Sequence, residues 1–565
     1  MDAQEMRFAA RHWFILGVLL TGFVLLGLRA VDLQVNRKAF LQQQGDMRHL
    51  RVVRSPAHRG VILDRAGDPL ALSTPVVSLW ANPKELAEVK EEWPALAAAL
   101  SFKPGALERL VAGRLNRDFI YLRRHVHPEL ADAVLGLELR GVYAQREYRR
   151  YYPHAEVSAH VLGFTNIDDH GQEGLELAFD TWLTGRDGAK RVVRDRLGRV
   201  IEDVESIRTA RNGRALRLSI DQRLQYLAYR SLKAAVLKHR AKGGSLVMLD
   251  TRTGEVLAMV NQPSFNPNSR SRGTSAMRRN RAATDLFEPG STMKPFTVAM
   301  GLETGKFGTT DVIDTNPGRM RIGKHEITDH RNYGTIDLPT LIKKSSNVGA
   351  SRIALAIERD AQWRWLSALG FGQPTGSGFP GESGGILTDF RSWGQIRRAT
   401  LSFGYGLSVT PLQLAQAYVV LANDGVALPI SLQMVKQPPK GRRVLSTEVA
   451  SAVRRMMEVV TSPTGTGARA AIPGYRVAGK TGTIRKSMVG GYREGTYFAA
   501  FAGIAPASRP RLVAVVVVDE PGGDEYYGGQ VAAPVFRQVM ADSLRLLGVS
   551  PDRPDELGRA LLAGS

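Results

Sequence analysis

The 565-residue sequence contains no cysteine. This absence excludes disulfide bonds, thiolate catalysis and metal sites built on cysteine ligands. It also suits an oxidising compartment, where a free thiol is a liability. The sequence has no low-complexity stretch either, and its apolar content of 43% is ordinary for a folded chain. A chain of this length exceeds one ordinary core, so we expect about two or three globular units.

Acidic residues are in deficit, with 54 Asp and Glu against 76 Lys and Arg and a formal net charge of +22. Such a charge favours anionic surroundings such as nucleic acid, lipid headgroups or anionic wall polymers. Arginines cluster at 146–150, 191–199 and 278–281, and only the first cluster has aromatic neighbours. One such stretch is thin evidence for a base-stacking site. We therefore interpret the basic residues as solvated surface and expect no nucleic-acid partner.

Long apolar runs are scarce as well, and the one that stands out, WFILGVLLTGFVLLGL, lies near the amino terminus between Arg11 and Arg29. It is near the short end of the roughly 17 to 25 residues that a membrane-spanning helix needs, and snorkelling of Arg29 lengthens it. A cleaved signal peptide is the alternative, but no small-x-small cleavage pattern precedes Gln34. We therefore predict a cytoplasmic tail at 1–11 and an uncleaved transmembrane anchor at 12–31.

The pattern of the remaining chain changes near Asp221. From 32 to 221, short apolar runs alternate with charged turns without a helical or strand period. This pattern predicts an irregular, mixed α/β pedestal module. Asp221 is a suitable cap for a helix, and apolar residues follow it at helical spacing. We therefore place the domain boundary at this residue.

The region 222–547 has strand candidates at both of its ends. The candidates are 245–249, 256–260, 475–483, 496–504 and 512–518. Segments of helical character separate the first two candidates from the last three. This order predicts an α+β domain whose central antiparallel sheet is flanked by helices. A carboxy-terminal tail would follow at 548–565.

Ser291 and Lys294 lie three residues apart in the segment EPGSTMKPF. Residues at this spacing share one face of a helix, so the lysine amine can reach the serine hydroxyl. A serine is a weak nucleophile until a neighbouring base takes its proton, and a lysine is such a base when burial or a nearby cation lowers its pKa. The helix start also offers backbone N–H groups to an oxyanion. Taken alone, this spacing is a weak signal.

Two further motifs complete a set. Ser345 and Asn347 offer a hydroxyl and a carboxamide that can point into one cleft. The segment Lys480-Thr481-Gly482-Thr483 lies on a strand candidate and supplies a cation and hydroxyl donors suited to a carboxylate. Gly482 leaves room for an extended substrate against the strand edge. Ser-x-x-Lys, Ser-x-Asn and Lys-Thr-Gly in this order are typical of serine acylation.

On these motifs the chain resembles the class B penicillin-binding proteins, and in particular the division-specific transpeptidase of Gram-negative bacteria. The segment 59–71 matches the family's amino-terminal signature, and Arg150 and Glu176 lie in two further pedestal motifs. Ala155 departs from the family, which usually has glycine there. The segment GYGLSVTPLQLA at 404–415 favours the division type over the elongation type.

The resemblance implies a role for each motif residue. Ser291 attacks the carbonyl of the penultimate D-Ala of a stem pentapeptide, and Lys294 accepts the hydroxyl proton. Ser345 relays a proton to the leaving amine, and Asn347 orients Lys294 and the substrate. The backbone N–H groups of Ser291 and Thr483 form the oxyanion hole.

The same resemblance assigns the binding residues. Lys480 keeps the site electropositive, Thr481 and Thr483 hold the terminal carboxylate, and Gly482 is the substrate-binding residue between them. Tyr405 and the pair Tyr526 and Tyr527 form an aromatic wall, for which ordinary packing is the alternative interpretation. No metal and no cofactor are implied.

The implied partners are stem peptides ending in D-Ala-D-Ala, β-lactams as covalent inhibitors, a polytopic glycan polymerase and other membrane proteins of the division complex. The implied location is the inner membrane, with one span and the catalytic domain in the periplasm. Four alternatives remain: an elongation-type transpeptidase, a division scaffold that binds penicillin without turnover, a β-lactamase and a membrane β-lactam sensor. The absence of an extra carboxylate motif argues against the β-lactamase, and the short cytoplasmic tail argues against the sensor.

Overall fold

The structure is a computed structural model that describes residues 3–38, 50–194, 200–269, 274–488 and 491–554. The chain divides into two compact units. The first unit comprises 1–58, 75–149 and 185–213, and the second comprises 59–74, 150–184 and 214–565.

The strands follow one another along the chain in this order: β1 Leu50–Ser55, β2 Ile62–Leu63, β3 Pro69–Ala81, β4 Ile120–Val126, β5 Val142–Tyr151, β6 Phe164–Thr165, β7 Gly171–Glu173, β8 Gly188–Arg194, β9 Val200–Arg208, β10 Leu216–Arg217, β11 Gly243–Asp250, β12 Val256–Gln262, β13 Val312–Asp314, β14 Arg319–Ile322, β15 His325–Thr328, β16 Thr335–Asp337, β17 Val426–Ala427, β18 Arg442–Arg443, β19 Ala478–Met488, β20 Gly491–Ala505 and β21 Leu512–Asp519.

The α-helices are α1 Ala3–Val31, α2 Pro83–Leu86, α3 Trp93–Ala99, α4 Ala106–Ala112, α5 Pro128–Leu135, α6 Ala159–Leu162, α7 Gly174–Ala178, α8 Asp180–Leu183, α9 Gln222–Lys238, α10 Ser275–Arg278, α11 Arg281–Thr284, α12 Lys294–Glu303, α13 Leu338–Lys344, α14 Asn347–Ala356, α15 Arg359–Ala368, α16 Gln395–Leu401, α17 Pro411–Ala422, α18 Thr447–Glu458 and α19 Gly528–Leu546.

The first unit begins with the apolar helix α1, which continues into a π-helical turn at Asp32–Asn36. Within the described residues, Ala10–Asn36 is the one segment long and apolar enough to cross a membrane. Its apolar side chains are exposed in the folded chain; Phe23, for example, retains 75% of its accessible surface. Such exposure is costly in water and favourable in lipid, which is consistent with a single membrane anchor.

The core of the first unit lies between a sheet and helices α3, α4 and α5. Strand β3 pairs antiparallel with β4. Leu79 and Leu122 point into the core, whereas the alternate residues Trp80 and Tyr121 lie on the opposite face of the sheet. A separate three-stranded sheet has the order β1-β8-β9.

The second unit is built on a five-stranded antiparallel sheet with the order β12-β11-β21-β20-β19. Strand β21 has the sequence LVAVVVVD, and its first seven residues are buried. Val513, Val515 and Val517 belong to one hydrophobic core, and Val516 and Val518 belong to another. Helices α9 and α19 cover the second core, and α17 covers the first. The predicted α+β fold is therefore confirmed.

Strand bounds differ from the predicted ones mainly at the edge of this sheet. Strand β19 begins at Ala478 rather than at 475 and extends to Met488, because it forms a long hairpin with β20. Asp221 caps α9 as predicted, and its side chain accepts the N–H of Arg223 at 3.1 Å. The buried strands β11, β12 and β21 lie where apolar runs predict them.

A buried charge cluster stabilises the part of the second unit that precedes α9. The carboxylate of Glu176 accepts from Arg59 Nε at 2.7 Å and from Arg150 Nε at 2.6 Å. Arg59 also donates to Asp180 at 2.6 Å. Arg59 and Arg150 are about 97% buried and Glu176 is fully buried, so neither guanidinium has access to bulk water as a substitute partner.

Replacing Glu176 by Gln is expected to lower the free energy of unfolding by about 3–5 kcal/mol, because it leaves two buried guanidiniums without their shared counter-ion. Urea unfolding of the full chain in detergent, followed by tryptophan fluorescence, measures the change. Glu326→Gln, on an exposed strand, is the matched control and should have little effect. Equal unfolding midpoints for the two variants would show that the cluster does not stabilise the unit.

Candidate active site

The turn that carries Ser291 is a short 3₁₀ segment, Gly290–Met293, which leads into α12. In a 3₁₀ turn, residues three apart eclipse one another, so Ser291 and Lys294 lie on one side. Gly290 has φ +55°, and its N–H donates to the carbonyl of Gly404 at 3.1 Å. Gly404 has φ +84°, and a Cβ there would lie 2.1 Å from Gly290 O. Only glycine at 404 permits this approach.

Lys294 is fully buried, and its Nζ contacts Ser291, Ser345 and Asn347. The distances are 2.9 Å to Ser291 Oγ, 2.6 Å to Ser345 O, 2.9 Å to Ser345 Oγ and 2.8 Å to Asn347 Oδ1. Burial lowers the pKa of Lys294 well below its usual range, and the nearby cation of Lys480 lowers it further. Both effects favour the neutral form of the amine.

A neutral amine has two N–H donors and one lone pair. The carbonyl of Ser345 and the Oδ1 of Asn347 can only accept, so they take the two donors. The Nδ2 of Asn347 donates to Thr328 O at 3.0 Å, which fixes which side of its carboxamide faces the lysine. The lone pair of Lys294 is thereby left for a hydroxyl proton of Ser291 or Ser345.

Ser345 lies between α13 and α14 in the left-handed region, with φ +61° and ψ +43°. This conformation costs a non-glycine residue about 1–2 kcal/mol. It turns both the carbonyl and the hydroxyl of Ser345 toward Lys294. The same hydroxyl lies 3.1 Å from Lys480 Nζ, so two lysines converge on one oxygen.

Lys480 is the second fully buried amine of the site. It lies on β19 and donates to Ser345 Oγ and, at 3.0 Å, to the carbonyl of Thr481. Burial lowers the pKa of Lys480 to about 7. Among the described residues, no carboxylate forms an ion pair with Lys294 or Lys480, so the pair keeps the site electropositive whenever either amine is protonated.

Strand β19 is the edge of the sheet and presents hydrogen-bonding groups to the cleft. The N–H of Arg485 donates to the Tyr405 hydroxyl at 3.4 Å, away from β20. By the two-residue alternation of a strand, the N–H groups of Thr481 and Thr483 face the same side. A Cβ at Gly482 would lie 3.1 Å from Thr292 Cγ2, so glycine lets the strand pack against the Ser291 turn.

A cleft of about 400 Å³ opens above these groups. Its lining includes the predicted residues Ser291, Ser345, Thr481, Thr483 and Tyr527. Lys294 and Lys480 bond to these residues, and Asn347 bonds to Lys294. Gly482 lies on β19, and the Tyr405 hydroxyl accepts from Arg485 of the same strand. Every predicted site residue thus belongs to one continuous region of the second unit.

The cleft wall also includes residues that the sequence did not predict, among them His330, Lys344, Thr466 and Arg469. The Thr481 hydroxyl donates to Thr466 Oγ1 at 3.0 Å. The segment PTGTG around Thr466 is typical of a tight turn. The structure requires glycine in this turn, because a Cβ at Gly465 would lie 2.1 Å from Val460 O. That signal predicts a turn but not its place in the cleft.

Comparison with known proteins identifies the family. The penicillin binding protein transpeptidase domain matches residues 244–541, and the penicillin-binding protein dimerisation domain matches residues 54–218. The peptidoglycan D,D-transpeptidase FtsI of Escherichia coli K12 is 45% identical over 544 residues, covering 94% of this chain and 92% of that protein. The probable peptidoglycan D,D-transpeptidase PenA of Neisseria meningitidis serogroup A is 42% identical, covering 96% and 93%.

A solved structure agrees with these matches. The transpeptidase domain of Burkholderia pseudomallei penicillin-binding protein 3, in its apo form, is 43% identical with a TM-score of 0.55, covering 59% of this chain and 97% of that one. Sequence identity across almost the whole length, together with the two domain matches, shows that the chain belongs to the class B penicillin-binding proteins, the family of the peptidoglycan D,D-transpeptidases.

Proposed function

We propose that this chain cross-links stem peptides of septal peptidoglycan through an acyl-enzyme on Ser291. The observation that carries the proposal is the buried amine of Lys294, whose lone pair is left for a hydroxyl proton while Ser291 Oγ lies 2.9 Å away. The E. coli relative named FtsI supports a role in division. The chain itself is a serine-type D-Ala-D-Ala transpeptidase of the penicillin-binding family.

The first half-reaction forms the acyl-enzyme. Ser291 Oγ attacks the carbonyl carbon of the penultimate D-Ala, and its proton passes to Lys294 Nζ. The resulting oxyanion accepts from the N–H groups of Ser291 and Thr483. The amide bond then breaks, and a proton from Lys294 reaches the leaving amine through the hydroxyl of Ser345, which releases the terminal D-Ala.

The second half-reaction transfers the acyl group. The amine of a diamino acid on a neighbouring strand attacks the ester carbonyl and loses a proton along the same route to Lys294. The ester bond breaks and Ser291 regains its proton, so the enzyme returns to its starting state. The described residues that line the cleft include no carboxylate that would activate water, which favours transfer to an amine over hydrolysis.

The cleft has the charge that a peptide carboxylate requires. Lys480 supplies a cation at the edge of β19, and the hydroxyls of Thr481 and Thr483 supply donors. Gly482 lets this strand pack beside the Ser291 turn, and Tyr405 and Tyr527 flank the acyl group. Lys344 and Arg469 on the cleft wall add positive charge outside the motifs. β-Lactams occupy the same place, because they carry a carboxylate beside a reactive amide.

Membership of the family supports a proposal for the domain division, the cellular location and the partners of the chain. We propose a single span at 12–31, a pedestal module at 32–221 and a transpeptidase domain at 222–547 that works in the periplasm. A polytopic glycan polymerase and other division proteins would be its membrane partners. Depletion separates this proposal from the elongation type, since loss of a division enzyme gives filaments and loss of an elongation enzyme gives rounded cells.

Ser291→Ala is expected to abolish covalent labelling by a fluorescent penicillin, because the variant lacks the attacking oxygen. Gel fluorescence and mass spectrometry of the labelled peptide measure this outcome. Membrane insertion should be unchanged, as judged by fractionation of cells. Labelling that survives at another serine would refute Ser291 as the nucleophile.

The rate of acylation is expected to fall as the pH drops through the lowered pKa of Lys294. The pKa of Lys294 is depressed, so the neutral amine predominates above that pKa and the ammonium form, which has no lone pair, predominates below it. Second-order rate constants for a β-lactam from about pH 5 to about pH 9 test this prediction. Circular dichroism over the same range controls for unfolding, and a constant rate across the acidic half would contradict the role of Lys294 as base.

Gly404→Ala is expected to slow acylation about tenfold or more, because its Cβ would displace the backbone of Gly290 beside the nucleophile. Gly378→Ala is the matched control: Gly378 has φ +82° but nothing within 4 Å of the added carbon. Both variants carry the backbone strain, and only the first carries the clash. Equal rates in the two variants would show that the Gly290 contact does not position Ser291.

A further inference from the structure

Asp329 lies outside every predicted motif but binds the Ser-x-Asn segment directly. Its Oδ1 accepts the N–H of Asn347 at 2.5 Å and the N–H of Val348 at 3.1 Å. Its Oδ2 accepts the hydroxyl of Ser346 at 2.6 Å. The Ser346 oxygen in turn accepts the N–H of Gly349 at 2.9 Å. One carboxylate therefore organises the whole first turn of α14.

The residue before Asp329 holds the side chain of the same asparagine. Thr328, the last residue of β15, accepts Asn347 Nδ2 through its carbonyl at 3.0 Å. Asn347 is thus fixed at its backbone by Asp329 and at its carboxamide by Thr328. Its Oδ1 is held 2.8 Å from Lys294 Nζ as a result. The residue after Asp329, His330, lines the cleft.

The charges around Lys294 are few. Lys480 faces it from β19, and Asp329 faces it from the segment after β15; they act in opposite directions, the first lowering and the second raising the pKa of Lys294. Burial raises the pKa of Tyr333, and the charge of Asp329 raises it further. A negative charge at the amino terminus of α14 is favourable in itself, because it faces the positive end of the helix dipole.

We infer that Asp329 is a positioning residue of the acylation reaction: its carboxylate fixes Ser346 and Asn347, which holds the Asn347 carboxamide against Lys294, and it balances part of the charge on the base. The inference rests on the proposed function. A carboxylate suits the position because it only accepts, and three donors converge on its two oxygens. An amide would turn an N–H toward one of those donors.

Asp329→Asn tests the inference. We expect the second-order rate constant for β-lactam acylation to fall about tenfold or more. We also expect the acidic limb of its pH profile to move to lower pH, because loss of a negative charge disfavours the protonated form of Lys294. A residue that only supported the fold would change the rate without moving the limb.

Three variants make the test specific. Asp329→Glu keeps the charge and should leave the limb in place. Ser346→Ala removes one donor but no charge, and should slow acylation without moving the limb. Asp337→Asn is the matched control, since Asp337 caps the neighbouring helix α13 through the N–H of Thr340 at 2.8 Å, and should change neither quantity.

The outcomes separate cleanly. A limb at the same pH in wild type and Asp329→Asn, or an equal displacement in Asp337→Asn, overturns the inference. If Asp329→Asn does not fold, as judged by its melting curve, an undiminished rate in Ser346→Ala overturns it instead. Failure of the proposed function would be visible separately, because the wild-type protein would then not be acylated at Ser291.

Discussion

A buried lysine amine without an ion-pair partner is the constraint on which the rest of the site depends. Lys294 is fully enclosed, and an ammonium group in such a place loses hydration that the charge of Asp329 offsets only in part. The fold resolves this conflict by lowering the pKa of Lys294, which favours the neutral amine. A neutral amine carries the lone pair that a general base requires. The burial that disfavours a charge on Lys294 therefore also favours the form that can accept a proton.

The surrounding structure can be understood as support for that amine. The 3₁₀ turn brings Ser291 to it, and the left-handed backbone of Ser345 directs two oxygens toward it. Gly404 and Gly482 allow the close approaches of the Ser291 turn to its neighbours. These contacts come from four distant stretches of chain, and the two hydrophobic cores of the second unit hold those stretches together.

Sequence reasoning succeeded where local pattern determines structure. The apolar runs of β11, β12 and β21 predict buried strands, and the spacing of Ser291 and Lys294 predicts their contact. It failed where a contact with a segment distant in sequence determines the structure. The end of β19 depends on its pairing with β20, and Asp329 reaches Asn347 only because the β14–β15 hairpin folds against α14. Neither feature produces a hydrophobic period or a motif spacing in the sequence.

The free edge of β19 has a consequence for selectivity. Backbone N–H groups face the cleft from this edge beside the hydroxyls of Thr481 and Thr483, and a bound peptide would complete the sheet as its missing strand. Hydrogen bonds to the backbone of β19 depend on the direction of a bound peptide and on the position of its terminus, and not on the identity of its side chains. An antibiotic that imitates the terminus uses the same pairing groups, so a mutation that weakens the drug here also weakens the natural peptide.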